Sequence, residues 1–231
     1  QLQDQAIVES EHGQKGYTFM TLGKESGEKT VKKLNTPNSN LTVTEKATQT
    51  SGICIDLIKG LAEFESIGFI HNDIKPQNFI IDQKGRAHWI DFGTGRDAME
   101  TIENGISNNS LLLGTPTYIP RDMNAFGVDS FKPANSPIKK DAWALGVSLY
   151  ELWKGKLPFD LESVPQAISV AILFKNIALA IDTNTLDTSG IPQPFNDVIH
   201  GLLDKNADTR WSAKKALEFL TPRLANQLTD S

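Results

Sequence analysis

Eight consecutive residues, His71-Asn72-Asp73-Ile74-Lys75-Pro76-Gln77-Asn78, set a carboxylate, an ammonium and a side-chain amide close together in sequence. Phosphoryl transfer asks for a carboxylate beside the attacking hydroxyl and oxygen donors that hold Mg²⁺ against the phosphates. Taken alone, the string also reads as a polar turn. A second acidic segment, Asp91-Phe92-Gly93, lies thirteen residues after Asn78, behind a stretch patterned as strand, turn and strand. Downstream follow Gly114-Thr115-Pro116-Thr117-Tyr118-Ile119-Pro120-Arg121-Asp122, then Asp141-x-Trp143-x-x-Gly146, and later Arg210.

The elements that must position these residues are mostly helical. Ile53, Leu57, Ile58, Leu61, Phe64 and Ile67 recur at three- and four-residue spacing, which predicts an amphipathic helix over 53–67 leading into His71. Phe79-Ile80-Ile81 and His88-Trp89-Ile90 read as short strands around the turn Asp82-Gln83-Lys84-Gly85. Ala142 to Trp153 is apolar nearly all round, so Trp143, Leu145, Val147, Leu149 and Leu152 belong to a buried core helix. Further helices are expected at 164–181, 195–203 and 212–220. At the front, Ala6-Ile7-Val8 and Tyr17-Thr18-Phe19-Met20 read as strands flanking a turn at 12–16, and 23–50 reads as a polar connector with at most a short helix. Residues 94–138 read as one long irregular stretch.

Composition sets outer limits. The 231 residues are 39% hydrophobic and 22% charged, an ordinary globular balance. Twenty-three Lys and Arg against 28 Asp and Glu leave a net charge of −5, without the overall basic field of a nucleic-acid binder. One cysteine, Cys54, allows no internal disulfide and reads as a small buried hydrophobe. No apolar run reaches the length of a membrane span, and the first residues carry no signal-peptide pattern. His12, His88 and His200 are too dispersed to suggest a metal site.

In their order and spacing, the chemical segments resemble the C-lobe of the eukaryotic-type Ser/Thr protein kinases over roughly residues 17–220. The resemblance implies an α+β, protein-kinase-like fold. A remnant of the β-rich N-lobe at 1–22 would lead to the hinge. A mainly helical C-lobe at 23–231 would carry a catalytic loop at 71–78, an activation segment at 91–122 and a core helix at 141–153. Carried over residue by residue, Asp73 becomes the base orienting the acceptor hydroxyl and Lys75 the charge at the transferring phosphoryl group. Asn78 and Asp91 become the Mg²⁺ ligands. Thr21, Leu22 and Gly23 would meet the adenine of ATP through their backbone, with Ile80 beneath the ring and Met20 as gatekeeper. Asp141 would tie down the catalytic-loop backbone, His71 would pack beneath Asp91-Phe92-Gly93, Thr115 would hydrogen-bond Asp73, and Arg210 would pair with Asp122. Ser107, Ser110, Thr115 and Thr117 are conceivable phosphorylation sites.

Departures from the family pattern qualify what is expected. Asn72 stands where an arginine usually receives an activation-loop phosphate, which argues against control by loop phosphorylation. Gln77 replaces a glutamate that often reads basic substrates, and Asp122 is one methylene shorter than the usual glutamate. A glycine-rich loop and its partner lysine find no good match before His71, because Gly27 and Lys32 are too close to enclose a return strand. Lys24, Lys29, Lys32 and Lys33 read as solvated surface lysines, although any of them is an alternative anchor. The N-lobe is therefore expected to be incomplete here, completed by an upstream segment or an activating partner. The implied activity is transfer of the γ-phosphoryl of MgATP to a protein Ser or Thr hydroxyl, in the cytoplasm or, for a secreted bacterial effector, the host cytosol. No nucleic-acid partner is expected. The alternative is a pseudokinase or kinase-derived scaffold that binds a partner through the helical lobe.

Overall fold

A computed structural model describes residues 2–10, 13–20, 23–37, 40–98, 114–124, 137–165, 167 and 169–229. Strands β1 (Leu2–Ser10) and β2 (Gly13–Met20) form an antiparallel hairpin with Ala6 opposite Tyr17 and a register irregularity between Leu2 and Asp4. Both strands are longer than Ala6–Val8 and Tyr17–Met20, because Gln14, Lys15 and Gly16 continue the ladder instead of forming the turn.

The stretch 23–50 is more ordered than a connector. Strand β3 (Glu25–Ser26) leads into helix α1 (Gly27–Asn35), whose N-terminus Ser26 caps by accepting from the Lys29 amide. Gly27 is required there: a Cβ on it would sit 2.2 Å from the Pro76 carbonyl oxygen and 2.5 Å from the Phe79 ring. This close approach seats α1 directly on the end of the 71–78 segment.

Helix α2 (Val43–Ser66) begins ten residues earlier than the apolar spacing alone predicts. Its start is set by a capping box, in which Thr42 and Glu45 satisfy each other's backbone amides. Ile53, Cys54, Leu57, Ile58 and Leu61 form its buried face, and the exposed first turns need only the cap.

Beyond β4 (Phe69–Ile70), a short 3₁₀ turn at Pro76–Asn78 precedes β5 (Phe79–Ile81), which pairs with β3 and with β6 (Ala87–Trp89). Trp89 docks this sheet on α2, its indole N–H donating to the Leu57 carbonyl at 3.0 Å. Asp56 of α2 also accepts the Ala87 amide at 3.0 Å. Strand β7 (Arg96–Asp97) pairs antiparallel with β4. Of the long stretch expected at 94–138, residues 99–113 and 125–136, with Ser107 and Ser110, lie outside the described residues. The described part includes a 3₁₀ turn at Pro116–Tyr118 and the short helix α3 (Arg121–Asn124).

Helix α4 (Pro137–Lys154) is the core helix, extending four residues before Asp141 and one beyond Trp153. Trp143, Leu145, Val147, Leu149 and Leu152 are fully buried on it, each contributing about 1.5–3 kcal/mol by burial. Three more helices surround it: α5 (Val170–Thr183), α6 (Phe195–Leu202) and α7 (Ala213–Thr229). Helix α5 starts six residues later than expected, behind the Ser169 cap, and α7 runs nine residues further, through Pro222. Gly146 lets α6 approach: a Cβ there would lie 2.9 Å from Leu202 and Leu203. Glu65, at the end of α2, accepts the amides of Ala213 and Lys214 and so caps α7 from another helix.

Candidate active site

The segment from His71 to Asn78 is held from below by α4. Both carboxylate oxygens of the buried Asp141 accept backbone amides, His71 N–H at 2.7 Å and Asn72 N–H at 2.9 Å. Asn72 takes a left-handed conformation (φ 71°), which turns the chain so that Asp73 emerges from the core. His71 is fully buried. Its Nε2 lies 2.9 Å from the Ile90 carbonyl, and its ring lies 5.3 Å from that of Phe92, which also meets Phe64 and Phe69 edge-on. Burial lowers the His71 pKa, which fixes a neutral imidazole whose Nε2–H donates to Ile90. It therefore serves as a spacer between the two acidic segments.

Asp73 is the centre of a small network. Lys75 Nζ lies 2.7 Å from Asp73 Oδ2 and donates to Thr115 Oγ1 at 2.9 Å, while Thr115 in turn donates to Asp73 Oδ1 at 3.2 Å. The Asn78 amide nitrogen donates to Asp73 Oδ2 and to the Asp73 carbonyl, both at 2.8 Å. Burial pushes the Asp73 carboxyl up, but the Lys75 hydrogen bond and charge, with Asn78 and Thr115, outweigh it and hold the group below the ordinary range. Asp73 is thus a fixed carboxylate at neutral pH.

The antiparallel ladder brings the second acidic segment alongside. Phe79 pairs with Trp89, and the ladder extends one step as the Ile90 amide donates to the Asn78 carbonyl at 2.8 Å. Asp91 therefore follows directly beside Asn78. It is exposed and left-handed (φ 62°, ψ 67°), so its carboxylate is not spent within the fold's interior. Because the Asn78 side-chain nitrogen is committed to Asp73, its side-chain oxygen Oδ1 is the ligand atom left for a cation. One amide oxygen and one carboxylate fit Mg²⁺, which keeps waters and takes its remaining ligands from phosphates. Among the described residues, no cluster of three or more His, Cys, Asp or Glu could hold a metal by itself.

Gly23 and Ile80 come together, since a Cβ on Gly23 would lie 3.0 Å from the Ile80 side chain. Thr21 and Leu22 lie outside the described residues. Lys24, Lys29, Lys32 and Lys33 are all exposed, and Lys32 and Lys33 pair with Glu28 and Glu25 around α1. Asp122 and Arg210 meet as expected: Arg210 Nη2 lies 2.5 Å from Asp122 Oδ1, and its guanidinium stacks 4.9 Å from Trp143. Lys140 is a site residue that motif reading misses. It is 2% exposed, and its Nζ donates to Asn72 Oδ1 at 2.5 Å. The available signal was a pair of lysines, Lys139-Lys140, just ahead of Asp141 and the mostly apolar stretch 142–153.

The described parts are thus a helical lobe built on a buried core helix, a carboxylate loop tethered to it, and an exposed aspartate two residues beyond β6. The chain matches the protein kinase domain family over residues 6–219, and it belongs to that family. It is 33% identical over 170 residues to the serine/threonine-protein kinase ROP17 of Toxoplasma gondii, covering 71% of this chain and 26% of that protein. It is 32% identical over 132 residues to human Rho-associated protein kinase 1, covering 57% of this chain and 9% of the relative. A solved ROP18 kinase domain in complex with AMP-PNP and sucrose superposes with a TM-score of 0.59 at 23% identity, over 93% of this chain and 53% of that one. The chain thus spans about a quarter of the length of ROP17.

Proposed function

We propose that this chain carries the catalytic lobe of a Ser/Thr protein kinase that transfers the γ-phosphoryl group of MgATP to a protein Ser or Thr hydroxyl. The observation that carries the reading is the Asp73 carboxylate, fixed by Lys75, Thr115 and Asn78, with Asn78 one ladder step from the exposed Asp91. Asn78 and Asp91 would hold Mg²⁺, which when bound would neutralise phosphate charge. Asp73 accepts a hydrogen bond from the acceptor hydroxyl and aims its oxygen at the γ-phosphorus. As the new O–P bond forms, the bond to the β,γ-bridging oxygen breaks, ADP leaves, and the hydroxyl proton passes to Asp73. A carboxylate held below its ordinary pKa is a weak base but a well-placed acceptor, which suits a loose transition state that needs orientation more than early proton removal. Lys75 balances charge on the transferring group from the opposite oxygen of the same carboxylate.

In this reading residues 1–22 supply strands leading to the hinge and 23–231 supply the helical lobe. Gly23 and Ile80, which lie together, form part of the adenine side, and a further segment or an activating partner brings the remaining phosphate anchor. The substrate class is a protein with Ser or Thr acceptors, a reading supported by the similarity to the serine/threonine-protein kinase ROP17. The test is transfer from labelled ATP in Mg²⁺ to generic protein substrates by this chain, with Asp73→Ala and Asp91→Ala as controls. Transfer that both substitutions abolish is the expected result, and transfer that either leaves intact refutes the assignment.

A further inference from the structure

The arginine that precedes the catalytic aspartate in the family pattern is Asn72 here, yet the loop is not left unanchored. Lys140, at the head of α4, reaches under the loop and donates to Asn72 Oδ1 at 2.5 Å, with the Asn72 carbonyl at 3.5 Å from the same nitrogen. The ammonium is 2% exposed, and the Asn72 it meets is 7% exposed. Above them Gly114 closes the layer. A Cβ at that glycine would come within 4 Å of Lys140 Nζ and of Asp73 Oδ1, and to 2.8 Å from the Asn72 carbonyl oxygen. One buried cation therefore touches the turn that precedes Asp73 and lies beside the point where the 114–122 segment crosses it.

We infer that Lys140 is a positioning residue: its buried ammonium, bonded to Asn72, holds the left-handed turn that aims Asp73, and so presets the catalytic loop from inside the lobe. The physical reason is desolvation. A buried ammonium is costly to leave without acceptors, so the Asn72 oxygens are drawn onto it and the turn they belong to is fixed. An arginine facing the activation segment needs an external anion to fix the same turn, whereas Lys140 supplies its charge from the core helix. The loop is then set without covalent modification of the 91–122 segment. This rests on the reading of Asp73 given above.

The test has one arm that depends on activity and one that does not. Lys140→Met removes the charge with little change of shape, and Asn72→Ala removes the oxygen it binds. By hydrogen exchange, the 71–78 segment of the Lys140→Met chain is expected to lose protection while α4 and α2 keep theirs. Unchanged exchange across 71–78 overturns the proposal, as does a loss of protection spread evenly over α4, which marks a general packing role. In the transfer assay, kcat is expected to fall about 10- to 100-fold, the scale of a misaimed catalytic group, with KM for ATP within about twofold. The double variant is expected to lose no more than the worse single one, because both remove the same contact; additive losses overturn the proposal. If the unmodified chain shows no transfer dependent on Asp73, the kinase reading fails, and the exchange arm still decides the role of Lys140.

Discussion

Thr115 sits between the two charged groups that matter most. It receives a hydrogen bond from Lys75 and gives one to Asp73, so a single hydroxyl links the 114–122 segment to the 71–78 loop. Thr115→Ser keeps the hydroxyl and is expected to keep most of the activity. Thr115→Ala leaves Lys75 and Asp73 paired but unaimed, and is expected to lower kcat about 10-fold or more, measured in the same transfer assay. A second residue-scale prediction concerns pH. Burial pushes the Asp141 carboxyl up from 3.8 to about 6, against the pull of Lys140 and the two loop amides. The folded protein then holds a proton on Asp141 in a window from about 6 down to about 4 where the unfolded chain has released it. That contribution to stability is full below the unfolded value and is lost as pH rises through about 6. Asp141→Asn cannot titrate, so its unfolding free energy, followed by urea titration across that range, is expected to lack this step. It is also expected to be about 1–3 kcal/mol less stable near pH 7, because one loop amide loses its acceptor.

At the scale of elements, α4 explains why Asp141, Trp143 and Gly146 belong to one motif. Asp141 holds the 71–78 loop, Trp143 carries the Arg210 guanidinium on its face, and Gly146 admits α6. Arg210 is fully buried and Asp122 is its carboxylate partner, so removing the carboxylate strands a charge in the core. Asp122→Ala is expected to cost about 3–5 kcal/mol in urea unfolding, and Asp122→Asn less, since the amide oxygen still accepts. Much of this was legible in the sequence because the spacing is local. Asp73, Lys75 and Asn78 share one turn, and a strand-turn-strand pattern fixes how Asp91 returns to Asn78. Helix α1 was not legible because its buried side, made by Gly27, Thr30, Val31 and Leu34, is narrow within a polar stretch. The early start of α2 was hidden for a related reason: Val43 to Gln49 carry no fully buried side chain, and the Thr42–Glu45 capping box marks the boundary. Lys140 was hidden because burial of a lysine depends on an acceptor 68 residues away in sequence.

Across the whole molecule, the same parts act as one binding unit in the proposed reading. No helix among the described residues is long and apolar enough to cross a membrane, and the net charge is −5, so a phosphate-bearing ligand meets an acidic chain. Cation neutralisation is then a condition of nucleotide binding rather than an addition to it, because Asp73 and Asp91 both face the phosphates in this reading. Mg²⁺ and ATP are therefore expected to stabilise the fold together far more than either alone. At about 100 times the dissociation constant, a ligand adds about 2.7 kcal/mol, which for a chain of this size raises the Tm by about 5–10 °C. Thermal melts with ATP alone, Mg²⁺ alone and both together measure the coupling directly. Asp91→Ala removes the carboxylate ligand without touching the buried lobe, so its own Tm is expected to stay close to that of the unmodified chain while the joint shift disappears. A scaffold that has lost its chemistry has no reason to couple metal and nucleotide. Equal shifts with and without Mg²⁺ would therefore favour the scaffold over the enzyme.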